Sequence, residues 1–185
     1  IGDDTHKLSR PFVVLATQNP IEQEGTYQLP EAQLDRFMMK LLIDYPDFES
    51  EKKIIDLSLK ALDDQHLLDA SSLEKIKGQV EDIYVDENMK NLIVKTIHST
   101  RPGNQFFNKK YDDIIMAGAS PRASIWLYKV SKFKAYLKGK DFVGAEEFLE
   151  SIKSVLGHRL ILKYEAVADE IQTSDVALEI AQNLI

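Results

Sequence analysis

Cysteine is absent from the chain, so disulfides, thiolate zinc sites and a cysteine nucleophile are excluded. No apolar run approaches the ~18 residues that a membrane-spanning helix needs. The opening IGDDTHKLSR has neither an apolar centre nor a cleavage site, so it does not read as a signal peptide. Positive charge is in short supply: 23 Lys and Arg face 30 Asp and Glu, for a net charge of −7. A general nucleic-acid binder is usually basic, so no nucleic-acid partner is expected. His6, His66, His98 and His158 lack metal-ligand spacing, and no metal site is expected. Two further absences concern phosphate chemistry. The chain has no G-x-x-x-x-G-K-[ST] loop, and no apolar strand ends in the paired acidic residues that would hold Mg²⁺.

What is present is ordinary for a globular protein: 185 residues, 44% hydrophobic and 29% charged. That is enough for one domain, or for a small domain with part of another. A cytoplasmic location is the simplest expectation. A start at Ile1 rather than Met reads as a piece of a longer protein.

The first forty-odd residues read as α/β. Pro11 to Thr17 is a short continuous apolar run, as for a strand buried on both faces, and Phe37 to Ile43 is a second. Between them Pro30 to Asp35 predicts a short helix. From Tyr45-Pro46 onward the period becomes helical. Asp47 fits an N-cap before Ile55, Leu59 and Leu62; Leu73, Ile76, Val80 and Ile83 mark a second helix. Asp86 caps a third, carrying Met89, Ile93 and Ile97. After Arg101-Pro-Gly-Asn104 a polar loop with aromatics runs to Gly118. Trp126, Val130, Phe133 and Leu137 form the clearest apolar stripe, Phe148, Ile152 and Val155 another, and Ser174 reads as the cap of a last helix. The boundary falls between residues 1–45, an α/β part, and 46–185, an all-α part.

Three residues suit phosphate chemistry. Asn19 directly follows a buried strand, where ligands sit in open α/β sheets, and its amide can orient a water or sense a phosphate. Asn19-Pro20 can equally just begin a turn. Arg36 ends the short helix; a cation there complements the helix dipole, and it can also stabilise a transferring phosphoryl group. Arg122 follows Ser120, which fits an N-cap, and Pro121, which fits the first helical position. A cation in a first turn opposes the dipole, so Arg122 reads either as an anion-binding group beside free N–H donors or as a surface arginine. Lys129, Lys132, Lys134, Lys138 and Lys140 concentrate charge off the Trp126 stripe and read as a solvated helix face. Glu22, Glu24 and Glu31 have no nucleophile or histidine beside them and read as a polar loop.

The run ATQNPIEQEGTYQLPEAQLDRF, residues 16–37, resembles the MoxR family of AAA+ ATPases, as do Gly118-Ala-Ser-Pro-Arg-Ala123 and His158-Arg-Leu-Ile-Leu162 in the same order. The resemblance spans almost the whole chain. It implies the rear part of a P-loop NTPase core over residues 1–45, holding the sensor 1 strand, the arginine-finger helix and a last strand. An all-α lid over 46–185 would follow. Asn19 matches the sensor 1 Asn, Arg36 the arginine finger that reaches a neighbouring subunit's ATP, and Arg122 the sensor 2 Arg of the lid. Tyr45-Pro46 would border the adenine pocket. ATP and Mg²⁺ are the implied cofactors, a homo-oligomeric ring, typically a hexamer, the implied assembly, and proteins with von Willebrand factor A domains the implied partners.

The leading expectation is therefore an ATP-hydrolysing, chaperone-like remodeller. A nucleic-acid motor or loader shares the same ATPase layout, and a non-catalytic interaction module would keep these sensors as relics. Positioning supplies most of the catalysis in phosphoryl transfer. Without a phosphate loop and its Lys, the 185-residue chain by itself should hydrolyse ATP no faster than buffer. Robust turnover by highly purified chain, lost in Arg36→Ala, would overturn that expectation.

Overall fold

Asp86 and Ser120 start two of the helices of the larger body of the protein. In the computed structural model, which describes residues 11–18, 29–57 and 68–185, the Asp86 carboxylate accepts from the Met89 amide at 2.9 Å. This opens α4 (Glu87–Ser99). Met89, Ile93 and Ile97 recur at i, i+4 and i+8 and are buried, as their spacing predicts. Ser120 Oγ accepts from the Arg122 amide at 3.2 Å and opens α5 (Pro121–Leu137), with Pro at the first position. The preceding helices are α1 (Glu31–Leu34), α2 (Phe48–Leu57) and α3 (Ala70–Asp82). Asp47 caps α2 through the Ser50 amide at 2.7 Å. After α5 come α6 (Ala145–Leu156), α7 (Tyr164–Ala168) and α8 (Thr173–Gln182).

The described residues fall into two compact bodies. The smaller contains 11–17, 41–57 and 68–77; the larger contains 18, 29–40 and 78–185. In the larger body α6 lies between α5 and α8, and α4 packs on both of these. Phe148, Ile152, Val155 and Leu156 of α6 are fully buried, so the stripe expected there is its core face. Glu147, also fully buried, is held by Lys140 Nζ at 2.6 Å and the Gly144 amide at 3.1 Å.

The α5 stripe is corrected. The buried residues are Ala123, Leu127, Val130, Ser131, Lys132 and Ala135, while Phe133 and Leu137 are exposed and Trp126 is only partly buried. The helix is turned by roughly a quarter of a turn from the expected face. Three of the six buried positions are small, and small residues let two helix backbones approach closely. A reading weighted by side-chain size passes over them.

Two further expectations change. The loop before Gly118 contains a 3₁₀ turn at Lys109–Tyr111 and strand β1 (Ile115–Ala117), which pairs antiparallel with β2 (Ile161–Leu162). That pairing joins segments about 45 residues apart, beyond any local pattern. Helix α8 begins at Thr173 without a side-chain cap, so Ser174 is not its N-cap. Thr173 Oγ1 instead donates to the Gly157 carbonyl at the end of α6.

Neither apolar run of the first forty-odd residues is a strand. Residues 12–18 and 39–47 have no regular secondary structure, and Phe12, Val13, Leu15, Leu41, Leu42 and Ile43 are exposed. A strand requires a partner ladder, and none pairs with these segments among the described residues. The start of the second run is held elsewhere: the Lys40 amide donates to the Ser154 carbonyl at 2.9 Å, and Met39 packs against the helical core.

Gly118 carries the chain from β1 into α5 at a close approach. The Ala119 amide donates to Thr100 Oγ1 at 3.0 Å and Arg101 Nε to the Ala119 carbonyl at 2.9 Å. A Cβ on Gly118 would lie 2.3 Å from the Thr100 carbonyl oxygen, which is backbone and cannot swing away. Gly118→Ala should therefore cost about 1–3 kcal/mol through overpacking, read as a lowered midpoint in thermal unfolding. An unchanged midpoint would show that the loop relaxes freely.

Candidate functional site

Helix α1 is a single turn, and its C-cap residue Asp35 donates its amide back to Glu31 O at 2.9 Å. That turn delivers the Asp35 carboxylate to the N-terminus of α5, where negative charge complements the helix dipole. Ser120 Oγ is 3.0 and 2.8 Å from the two carboxylate oxygens of Asp35. Arg122 Nη1 donates to Oδ2 at 3.0 Å and Arg159 Nε to Oδ1 at 3.1 Å. One carboxylate thus serves a capping hydroxyl and two guanidiniums.

The two arginines differ in burial. The Arg159 side chain is fully buried and that of Arg122 is 49% exposed, with Asp35 at 19%. Arg159 directly follows the C-terminal turn of α6. Beyond Asp35 Oδ1, it donates to the carbonyls of Asp35 at 3.0 Å and Met38 at 3.3 Å, and to those of Phe37 and Val155. Each of its five N–H groups has an acceptor. Burial lowers its pKa and the Asp35 charge opposes that shift, but an arginine stays charged in any case.

Arg36, one residue on, is exposed, and among the described residues its side chain forms no ion pair or hydrogen bond. Its amide donates to Gln33 O at 3.2 Å, so its backbone belongs to the same turn. Arg122 departs from the sequence reading in one respect. Its first-turn charge is not left without local compensation, because Asp35 supplies it. Asn19 lies outside the described residues. Tyr45 and Pro46 are exposed, in the segment before α2 of the smaller body.

The sequence reading did not single out Asp35 or Arg159. Arg159 had a signal, since it stands between Val155-Leu156 and Leu160-Ile161-Leu162, and a charge flanked by core positions needs a buried partner. The lysines of α5 and the following turn also find partners. Lys134 pairs with Glu150, Lys138 with Glu146 and Glu150, and Lys140 with Glu146 and Glu147. Lys132 is not a solvated residue: it is buried, with Nζ 2.6 Å from the Glu81 carbonyl. Lys129 lies over the Trp126 ring at 5.4 Å.

His158 abuts the cluster, its Nε2 3.4 Å from the Phe37 carbonyl and its Nδ1 buried without a partner among the described residues. Burial, reinforced by the Arg159 charge, pushes its pKa down to about 4 from an ordinary 6.5. Below pH 6.5 the unfolded chain takes up a proton that the folded one refuses. The stability contribution is therefore complete above 6.5 and lost as pH falls towards 4. Between pH 7 and 5.5 this group should cost about 1 kcal/mol. Glu147 adds a later loss. Burial pushes it up, but Lys140 and the Gly144 amide outweigh this and bring it to about 2 from 4.5, so its share disappears as pH falls through that interval. Thermal unfolding of wild type and His158→Gln at pH 7 and 5.5 should show a smaller drop for the variant; equal drops would contradict the assignment.

Known proteins resemble this chain in two of its segments and along its whole length. Residues 1–39 match the model for the ATPase family associated with various cellular activities (AAA), and residues 112–180 match the AAA lid domain. Chaperone MoxR1 of Mycobacterium tuberculosis is 35% identical over 185 residues, covering all of this chain and 49% of that protein. The uncharacterized protein YeaC of Bacillus subtilis is 35% identical over 183 residues, 97% of this chain and 54% of its own. Protein MoxR of Methylorubrum extorquens is 24% identical over 163 residues, 81% of this chain and 48% of its own. A solved structure of a candidate ATPase from Cytophaga hutchinsonii aligns with a TM-score of 0.90 at 37% identity, covering all of this chain and 57% of that one. The chain spans about half the length of the curated relatives it matches. Asp35-Arg36-Phe37 falls in the AAA segment, and Ser120, Arg122 and Arg159 in the lid segment. With both segments matched in order, the chain belongs to the MoxR family of AAA+ ATPases.

Proposed function

We propose that the whole protein containing this chain is an ATPase that assembles as a ring and uses hydrolysis to remodel or activate partner proteins. Arg36 would act as the arginine finger on a neighbouring subunit's nucleotide, Arg122 as sensor 2, and Asn19 as sensor 1. The observation that carries this reading is the contrast at Asp35-Arg36. The backbone is fixed by partly buried hydrogen bonds from Arg159, while the adjacent guanidinium is exposed and unpaired among the described residues. A group that must reach across a subunit boundary needs a fixed base and a free head.

The cluster also suits an anion. Two guanidiniums share one carboxylate, so positive charge is left over at an α-helix N-terminus, and the half-exposed Arg122 is the arm able to exchange its partner. ATP with Mg²⁺ supplies the phosphoryl group and its leaving diphosphate; the residues here contribute charge and position. Arg122 would bind a phosphate oxygen in place of Asp35, and Arg36 would meet charge that develops in the transition state. Tyr45 and Pro46 would border the adenine. We divide the chain near Tyr45-Pro46 into a core part and a lid. Proteins with von Willebrand factor A domains would be the partners, in the cytoplasm, and the ring a hexamer.

In the whole protein Arg36→Ala should lower kcat on the order of a thousandfold with ATP binding nearly intact, because a finger acts on transition-state charge. Mixing these subunits with subunits lacking the phosphate-loop Lys should restore part of the activity, since some interfaces then hold one intact site and one intact finger. No recovery in rings shown to be mixed would leave Arg36 as a helix-end cation only.

Arg122→Ala should lower turnover while moving the nucleotide-free thermal midpoint little. A half-exposed ion pair contributes about 0–1 kcal/mol, and removing a cation from a first turn offsets part of that. A large midpoint loss with turnover unchanged would make Arg122 a structural residue.

A further inference from the structure

We infer that Arg159 is the positioning residue of the Arg36 finger: with Asp35 it clamps residues 35–38 onto the lid, so that finger and lid move as one body. The inference rests on the reading of Arg36 given above. Arg159 Nη2 donates to the Asp35 and Phe37 carbonyls, on either side of Arg36, and Nη1 to the Met38 carbonyl. The same guanidinium returns to α6 through the Val155 carbonyl and to the Asp35 carboxylate through Nε. The Lys40 amide adds a second tie to the lid at Ser154 O. The arginine finger thus departs from a backbone whose neighbouring carbonyls are tied to a lid side chain that water does not reach.

Asp35 makes the clamp responsive. Its carboxylate is shared between the buried Arg159, which has nowhere else to go, and the half-exposed Arg122, which does. An anion at the α5 N-terminus competes for Arg122 only. When Arg122 leaves, Asp35 keeps Arg159 and the clamp holds with a single, undivided ion pair. Occupancy of a subunit's own site, read by Arg122, is thereby linked through Asp35 to the base of the finger that serves its neighbour. The other charged or titratable groups near the cluster are Lys40 and His158, and His158 is neutral at pH 7 by the shift already described.

The test uses the whole protein as wild type, Arg159→Lys, Asp35→Asn and Arg36→Ala. Hydrogen–deuterium exchange without nucleotide should be at least tenfold faster in the 35–40 peptide of Arg159→Lys and Asp35→Asn, with α6 amides unchanged. A lysine keeps the charge but cannot serve five acceptors. Their kcat should fall at least tenfold with KM for ATP within twofold, as in Arg36→Ala. Unchanged exchange at 35–40 in either folded variant, or faster exchange with kcat intact, overturns the inference. If α6 also exchanges faster in Arg159→Lys, Asp35→Asn decides, since it retains the whole Arg159 side chain. Full turnover in Arg36→Ala would instead sink the finger reading, and the exchange data would then still decide whether Arg159 anchors the segment.

Discussion

A guanidinium sealed from water must satisfy five N–H groups at once, and Arg159 does so with one carboxylate oxygen and four carbonyls. This requirement shapes the surroundings. The carbonyls of Asp35, Phe37 and Met38 must converge on one point, which an extended strand cannot do because successive carbonyls alternate in direction. The segment therefore turns at the end of α1 and lies against α6. Removing one partner of such a buried pair costs about 3–5 kcal/mol, because the other charge stays buried without compensation. The exposed Arg122–Asp35 pair contributes a fraction of that. The same carboxylate thus takes part in one contact built to last and one built to exchange.

Legibility in the sequence followed the range of the interactions. Asp86, Ser120 and Asp47 are read correctly because a cap acts over three residues. The α6 stripe is read correctly because Phe148, Ile152 and Val155 are large and fully buried. Helix α5 is misread because Ala123, Ser131 and Ala135 face the core while Trp126, Phe133 and Leu137 draw the eye. Strand β1 and the Asp35–Arg159 pair were not legible at all. Their partners are more than about 40 residues away, and nothing local to Ile115 or Asp35 names them.

The runs at 11–17 and 37–43 failed for a different reason. Their composition is that of buried strands. Composition reports what a segment can bury, whereas a strand exists only where a neighbouring backbone completes its ladder. In the second run the competing offer is explicit, since the Phe37 and Met38 carbonyls already accept from Arg159 and the Lys40 amide donates to Ser154.

The charge pattern has the same logic as the cluster. Lysines at 134, 138 and 140 looked like a basic face, yet the turn after α5 sets them against Glu146, Glu147 and Glu150 at the start of α6. A polyanion approaching that surface would have to displace carboxylates already in place, and Glu147 is buried and held by Lys140 and a backbone amide. Arg122 and Arg36 lie outside that network. Arg122 is half-exposed with a single carboxylate partner, and Arg36 has none among the described residues, so both are able to meet an incoming phosphate. What sets them apart is their place, since both stand beside backbone that the buried Arg159 and its Asp35 partner hold fixed.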